Sequence, residues 1–334
     1  MLPPVSIVIP SFNQGRYLER TLLSILRQNY AGRVEIIVSD GGSTDETLQV
    51  LRRFPCVRHW SERDYGIADA TNKGLSVASG EILAIQSSDD FYLPDAIAHT
   101  VAALEQDGSI ALASGCDVYL EPDGTSFTCS QLDDHRVDPR SLLLRRVLPQ
   151  HGTFFRRELI DRIGLLRMDL AEGAEIDFWY RALHFFAGRF IPRHTAVYQR
   201  HPAQRTQTGS QWYQSLVRIV ESNESDPVYG DIFRLSPEDK FNLYTRWQIQ
   251  TAAIAGQNDQ VRLLLDFVTR DARITEETRK WLALHGFLPK PVRRRPDVRH
   301  PNHQLPDFNW MWTDRDPGRL AAGRQGSSDF YAAA

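Results

Sequence analysis

The stretch Glu81-Ile-Leu-Ala-Ile-Gln86, running into Ser87-Ser88-Asp89-Asp90, decides the fold. A short run of that apolar density reads as a strand buried on both faces, the kind that parallel sheets contain. It stops abruptly in two serines and two adjacent carboxylates, then resumes with Phe91-Tyr92-Leu93-Pro94. In an open α/β sheet, ligands bind outside the carboxyl ends of the strands. Two neighbouring carboxylates there repel each other and call for a counter-ion. Hard oxygen ligands suit Mg²⁺ or Mn²⁺, which keep several waters and bridge to phosphate oxygens. The alternative is a solvated turn whose aspartate caps the following helix.

Working outward, the first third of the chain alternates strand and helix. Residues 5–10 and 34–39 are continuous apolar strands, and 57–60 is a shorter one. Asn13 is placed to cap a helix with Leu18, Leu22, Ile25 and Leu26 on one face. Ser43 and Glu46 have the spacing of a capping box before a helix that runs to Phe54. Residues 67–78 read as a helix ended by Ser79-Gly80, and Pro94 opens another. Such alternation predicts a parallel sheet covered on both faces. After 110–115 a hairpin is expected over 117–120 and 126–129, turning at Pro122-Asp123-Gly124. Then come an apolar patch at 142–148, a strand at 152–156, a helix from Glu172 and a polar loop at 198–209. Helical spacing dominates 212–284, and a loosely ordered tail is expected from Pro289.

Composition narrows the function. The net charge of −3 over 334 residues argues against general nucleic-acid binding, which needs a strongly basic face. Cys56, Cys116 and Cys129 match no metal-ligand spacing and fit a reducing compartment. Residues 1–4 lead straight into a strand without a leader pattern, and no apolar run approaches the roughly 18 residues of a spanning helix. The expectation is a cytoplasmic protein, with peripheral contact to the inner membrane left open. The basic run Lys290–Arg295 would suit anionic head groups or serve as a solvated linker.

Asp40-Gly41-Gly42-Ser43-Thr44-Asp45 follows the second strand, where glycines let the backbone approach a ligand and a helix N-terminus favours anions. The segment after the first strand lacks G-x-G-x-x-G, which disfavours a dinucleotide. In order, VSIVIPSFN (5–13), EIIVSDGGSTDET (35–47), SERDYGIADATNKGL (61–75) and ASGEILAIQSSDDFYLPDA (78–96) resemble family 2 glycosyltransferases, in particular the bacterial branch that builds surface polysaccharides. The resemblance covers residues 4–205. It implies an α/β chain of the GT-A (Rossmann-like) fold, a mostly parallel sheet covered by helices, to which the helical spacing beyond residue 212 adds a helical C-terminal extension. The domains expected are 1–205 (a nucleotide half, 1–115, and an acceptor half, 116–205), a helical extension over 206–288 and the tail 289–334. The implied reaction is inverting transfer of a sugar from a nucleotide donor, a UDP-sugar, to a glycan or lipid-linked acceptor, using Mn²⁺ or Mg²⁺.

Residue by residue, the resemblance puts Pro10, Ser11 and Phe12 in the nucleotide pocket and Asp40 on the base. Asp69, Asn72 and Lys73 fall in the segment approaching ribose and diphosphate, with Ser88 beside them. Relatives show D-x-D-D where this chain has Ser87-Ser88-Asp89-Asp90, so the cation falls to Asp89, with Asp90 adjacent and His201 in a loop near the diphosphate. Many relatives carry arginine in place of Thr71, which leaves Lys73 and Arg63 as the cations at hand. His151 lies in the segment that enters the acceptor side, where it either bonds an acceptor or caps a strand. Glu175 occupies the position of the family's general base, and Asp177 that of the next acid. Asp177 also stands four residues before Arg181, the spacing of a helical ion pair. Phe178 and Trp179 read as core. Two other functions stay in view: a catalytically silent nucleotide-sugar-binding subunit of an assembly complex, and a nucleotidyltransferase, which lacks its triphosphate loop.

Overall fold

The computed structural model describes residues 1–127, 135–137, 148–170, 172–204, 212–254, 256–284 and 287. The apolar patch before Leu148, Cys129, the far end of the 198–209 loop and the tail with Lys290–Arg295 lie outside these residues.

Chain order alternates as the apolar runs require: β1 (Val5–Ser11), α1 (Gly15–Leu26), β2 (Val34–Asp40), α2 (Thr47–Arg52), β3 (Arg58–Ser61), α3 (Ile67–Val77) and β4 (Ile82–Ile85). Next follow β5 (Phe91–Tyr92), α4 (Ala96–Gln106), β6 (Ile110–Leu120), β7 (Ser126–Phe127), β8 (His135–Val137) and β9 (Thr153–Arg156). Helices α5 (Glu158–Ile163) and α6 (Ala174–Phe185) precede β10 (Ala187–Gln199). Helices α7 (Trp212–Asn223), α8 (Gly230–Phe233), α9 (Pro237–Ile254), α10 (Asn258–Arg270) and α11 (Glu276–Leu284) complete the described chain.

The ten strands of the described residues share one sheet, ordered β3-β2-β1-β4-β9-β6-β10-β5, with β7 beside β6 and β8 beside β10. Strands β3, β2, β1 and β4 are parallel, β9 runs antiparallel between β4 and β6, and β6 pairs β10 in parallel. Successive side chains of a strand point to opposite faces, so each strand feeds two cores. Val8, Ile37 and Leu83 meet Leu75, Trp179 and Leu216 on one face. Ile7, Ile9, Val38 and Ala84 meet Leu22, Val50, Ile97 and Leu104 on the other. The parallel register brings Ser11, Asp40 and Ser61 level at the carboxyl edge. A smaller core of Ile249, Val268, Ile274 and Leu282 holds the last helices together.

Four local expectations are corrected. Asn13 does not cap α1: it sits at φ 53°, and the first-turn amide of Gly15 donates instead to Asp45 Oδ2 at 3.0 Å. The Ser43/Glu46 box does not form, because Ser43 is taken up by Asp40 and α2 starts at Thr47, whose amide donates to Asp45 Oδ1. Residues 110–120 are a single strand rather than two. Finally, 198–199 belong to β10, a strand the sequence reading did not contain. Pro192 and Arg193 interrupt its apolar run, and its register against β6 shifts around Phe190–His194.

Candidate active site

The carboxyl edge carries two constructions. The first is built from the β1–α1 and β2–α2 loops. Asp40 is buried, and its carboxylate accepts from the amides of Gly42 (3.2 Å) and Ser43 (2.9 Å) and from the hydroxyls of Ser43 and Ser61. Gly42 adopts φ 84°, a left-handed conformation that glycine takes without strain. A Cβ on Gly41 would lie 2.5 Å from Asp64 Oδ2, so the β3–α3 loop packs directly on this turn. Asn13 staples the two loops: its amide donates to Ser43 Oγ (2.7 Å), and its Oδ1 accepts the Thr44 amide (2.8 Å). Pro10 and Ser11 are buried at the end of β1, and Phe12 beyond them is exposed. The result is a rigid polar cradle with an aromatic ring at its rim.

The second construction gathers charged and titratable groups from the loop after β4, from within β6, from the turn before β9 and from just past β10. Thr21 of α1 donates to the carbonyls of Ser88 (3.0 Å) and Asp90 (2.6 Å), fixing the 87–90 loop. The two adjacent carboxylates then diverge. Asp89 Oδ2 faces His201 Nε2 at 3.1 Å, and the Tyr17 ring stacks on His201 at 4.1 Å. Asp90 turns inward, where its Oδ2 lies 3.1 Å from His151 Nε2 and its Oδ1 accepts the Gln199 amide at 2.8 Å. The other ring nitrogen of His151, Nδ1, is 3.0 Å from Asp117 Oδ2. Burial alone would push the His151 imidazole down. The carboxylates of Asp90 and Asp117 on its two nitrogens outweigh that and raise it to about 9. Asp90 is itself pushed up, first by burial and then by the like charge of Asp89 and Asp117.

His151 thus serves as counter-ion to two buried carboxylates, a third role beside the two the sequence left open. Three residues here escaped the sequence reading: Tyr17, Thr21 and Asp117. Asp117 lies 34 positions from His151, and only the sheet joins them.

Other expected site residues are placed differently. The Asn72 amide is occupied by Leu166, donating to its carbonyl (2.8 Å) and accepting its N–H (3.0 Å), so it clamps α3 to the 164–170 segment. Lys73 is ion-paired to Glu62 (2.8 Å) and Asp69 (3.2 Å), and Asp69 also accepts the Tyr65 amide. Asp177 is fully buried against Arg181 (2.8 Å), Asn223 (3.2 Å) and Arg167 (3.6 Å). Glu175, in the same first turn of α6, is half-buried. Phe178 and Trp179 are core, stacked edge-to-face with Phe155.

Residues 6–164 match the sequence pattern of Glycosyl transferase family 2. An uncharacterized glycosyltransferase of Mycobacterium tuberculosis is 35% identical over 191 residues, covering 54% of this chain and 69% of that protein. The chain belongs to glycosyltransferase family 2. Its fold is GT-A. S. aureus TarS 1–349 in complex with UDP-GlcNAc superposes with a TM-score of 0.55 at 15% identity, over 96% of this chain and 92% of that one. The mannosyltransferase PcManGT from Pyrobaculum calidifontis, in complex with GDP-Man and Mn²⁺, gives 0.55 at 18%, over 98% and 89%.

Among the described residues of this glycosyltransferase, no three His, Cys, Asp or Glu side chains cluster tightly enough to hold a metal by themselves. The donor set nevertheless suits a hard cation that shares its shell with a diphosphate. Asp89 and His201 bring one carboxylate and one imidazole together, the Asp90–His151–Asp117 chain stands behind them, and His201 Nδ1 and Asp117 Oδ1 are buried without hydrogen-bond partners among the described residues. No helix among the described residues is long and apolar enough to cross a membrane.

Proposed function

We propose that this family 2 member is an inverting, metal-dependent glycosyltransferase. It moves a sugar from a nucleotide-diphosphate donor, a UDP-sugar, to a hydroxyl of a glycan or lipid-linked acceptor in surface-polysaccharide synthesis. The observation that carries this reading is the Asp89–His201 pair beside the Asp40 cradle, at one edge of one sheet. Asp40 and its turn receive the base and ribose, and Pro10, Ser11 and Phe12 line that pocket. Asp89 and His201 hold Mn²⁺ or Mg²⁺, which supplies Lewis-acid neutralisation of the leaving diphosphate. Ser88, next to Asp89, lies against the donor. Asp90 and His151 hold the loop rather than the ion. Lys73 and Asp69, paired to each other and to Glu62, form the charged rim of the ribose side.

Inverting transfer needs a carboxylate that takes a proton from the attacking hydroxyl, opposite the departing diphosphate. Glu175 is that base. Its neighbour Asp177 is committed to Arg181, Arg167 and Asn223, with no room for an acceptor. The proposal is supported by neighbours of the same fold bound to UDP-GlcNAc and to GDP-Man with Mn²⁺. The silent-subunit reading draws on Ser87, where relatives carry a carboxylate, and on the short ligand set. Both readings meet one experiment, which measures melting temperature with UDP- and GDP-sugars with and without Mn²⁺, then release of the nucleotide. Binding raises the melting temperature by mass action. Mn²⁺-dependent stabilisation with release supports the enzyme, and stabilisation without release supports the silent subunit. No stabilisation by any nucleotide sugar overturns both.

A further inference from the structure

We propose that Asp117 is a positioning residue for the cation site, acting through His151 and Asp90 on the Asp89–His201 pair. This rests on the reading that Asp89 and His201 hold the ion. The argument starts from the two oxygens of Asp90. Oδ2 is fixed by His151 at 3.1 Å, and Oδ1 accepts the backbone amide of Gln199 at 2.8 Å. Asp90 follows Asp89 directly, and Gln199 precedes His201 by two residues. One buried carboxylate therefore ties the loop that carries Asp89 to the strand end that carries His201. Whatever sets the direction of Asp90 sets the Asp89–His201 approach.

What sets it is His151, and His151 is itself aimed by Asp117, 3.0 Å from its Nδ1. The backbone leaves the ring little alternative. A Cβ on Gly115 would stand 2.2 Å, and one on Gly152 2.6 Å, from Thr195 Oγ1, so β6, the turn before β9, and β10 close to contact around His151. Tyr198 adds a ring at 5.2 Å on one side. The chain Asp117–His151–Asp90–Gln199 is then a brace from the centre of the sheet to the ligand pair. Outer-shell partners of this kind typically alter metal affinity by about 10–100-fold when removed.

The decisive variant is Asp117→Asn, whose neutral amide oxygen accepts the imidazole N–H more weakly than the carboxylate and so loosens the contact that aims the ring. Mn²⁺ binding is measured by electron paramagnetic resonance in the presence of UDP, or of GDP if that nucleotide stabilises the wild type more. Binding of the same nucleotide without metal is measured by calorimetry. The expected result is a loss of about 10–100-fold in Mn²⁺ affinity with metal-free nucleotide affinity unchanged, and a matching rise in the Mn²⁺ concentration that half-saturates transfer. Wild-type Mn²⁺ affinity in folded Asp117→Asn, or an equal loss of metal-free nucleotide binding, overturns the inference. If Asp117→Asn does not fold, Asp117→Glu, which keeps the charge but displaces it, is read by the same two outcomes. Asp89→Asn runs alongside. Should it leave Mn²⁺ affinity intact, the cation assignment itself fails. Should it lose Mn²⁺ while Asp117→Asn does not, the positioning role alone fails.

Discussion

Two constructions share the carboxyl edge of the sheet and are stabilised by opposite means. In the cradle, Asp40 and Asp45 are saturated by backbone amides and hydroxyls. In the cluster, Asp89, Asp90 and Asp117 face imidazoles instead. Neutral donors satisfy a carboxylate locally and leave no appetite for a cation. The cluster sets three carboxylates against two imidazoles and leaves Asp117 Oδ1 without a partner among the described residues. Shape recognition of a nucleotide therefore suits the first, and cation binding the second.

The largest expected effect breaks the cluster. Asp89→Ala should abolish Mn²⁺-dependent donor binding and transfer. Asp40→Asn should keep Mn²⁺ binding and weaken nucleotide affinity by loosening the turn that Asp40 orders, at a cost in stability of about 1–3 kcal/mol for the buried hydrogen-bond donor left unsatisfied. Calorimetry of both variants with Mn²⁺ and UDP tests the contrast, and the same metal loss from both would erase it.

Next comes the pair on α6, which extends the contrast to the base. Glu175→Gln should lower turnover by about 10²–10⁴-fold with donor affinity intact, the usual worth of a general base. Asp177→Asn should leave turnover per folded molecule near wild type and cost about 3–5 kcal/mol of stability, because Arg181 is left buried and under-paired. Side-by-side melting and kinetics decide it: if Asp177→Asn is stable and inactive, the two roles are exchanged.

The two constructions also titrate in opposite directions. His151 is raised in the folded state from 6.5 to about 9, so its stabilising contribution is full below pH 6.5 and is lost as pH rises through about 9. That loss is up to about 3 kcal/mol at 1.36 kcal/mol per unit. Asp45 is lowered: burial works against it, but hydrogen bonds from Thr47 and Gly15 prevail. Its contribution is present above 3.8 and lost as pH falls below that value. Stability of the wild type against unfolding should fall at both limits. His151→Gln should flatten the alkaline limb and Asp45→Asn the acid one, and a wild-type slope in either variant removes its assignment.

The cradle was legible in the sequence because it is local. The apolar runs at 5–10, 34–39 and 81–86 mark buried strands, and the polar residues just past each one must lie on a common edge. The cluster was half legible. Asp89, His151 and His201 stood out by type and context, but the 112 positions between Asp89 and His201 hid their contact. Asp117 had no local mark, being one polar residue inside a strand that was read as two. Strand β10, which aligns Gln199 and His201, was missed because Pro192 and its charged neighbours mask the alternation. Asn72 and Ser43 were expected in other roles, yet Asn72 is claimed by Leu166, 94 positions away, and Ser43 by Asp40 within its own turn.

The smallest effect tests how the cradle is held. Asn13 sits in the left-handed region at φ 53° and ties β1–α1 to β2–α2 through Thr44. Asn13→Gly removes the side-chain bond but relieves the backbone. Asn13→Ala removes the same bond and keeps a Cβ in a conformation that costs roughly 1–2 kcal/mol. A hydrogen bond of this sort contributes about 0.5–1.5 kcal/mol. Denaturant unfolding should therefore rank wild type above Asn13→Gly and Asn13→Gly above Asn13→Ala, with Mn²⁺ affinity the same in all three. If Asn13→Gly exceeds the wild type in stability and matches it in nucleotide affinity, the Thr44 bond is worth less than the backbone strain it accompanies, and the cradle is held by Asp40, Asp45 and the Asn13 backbone amide.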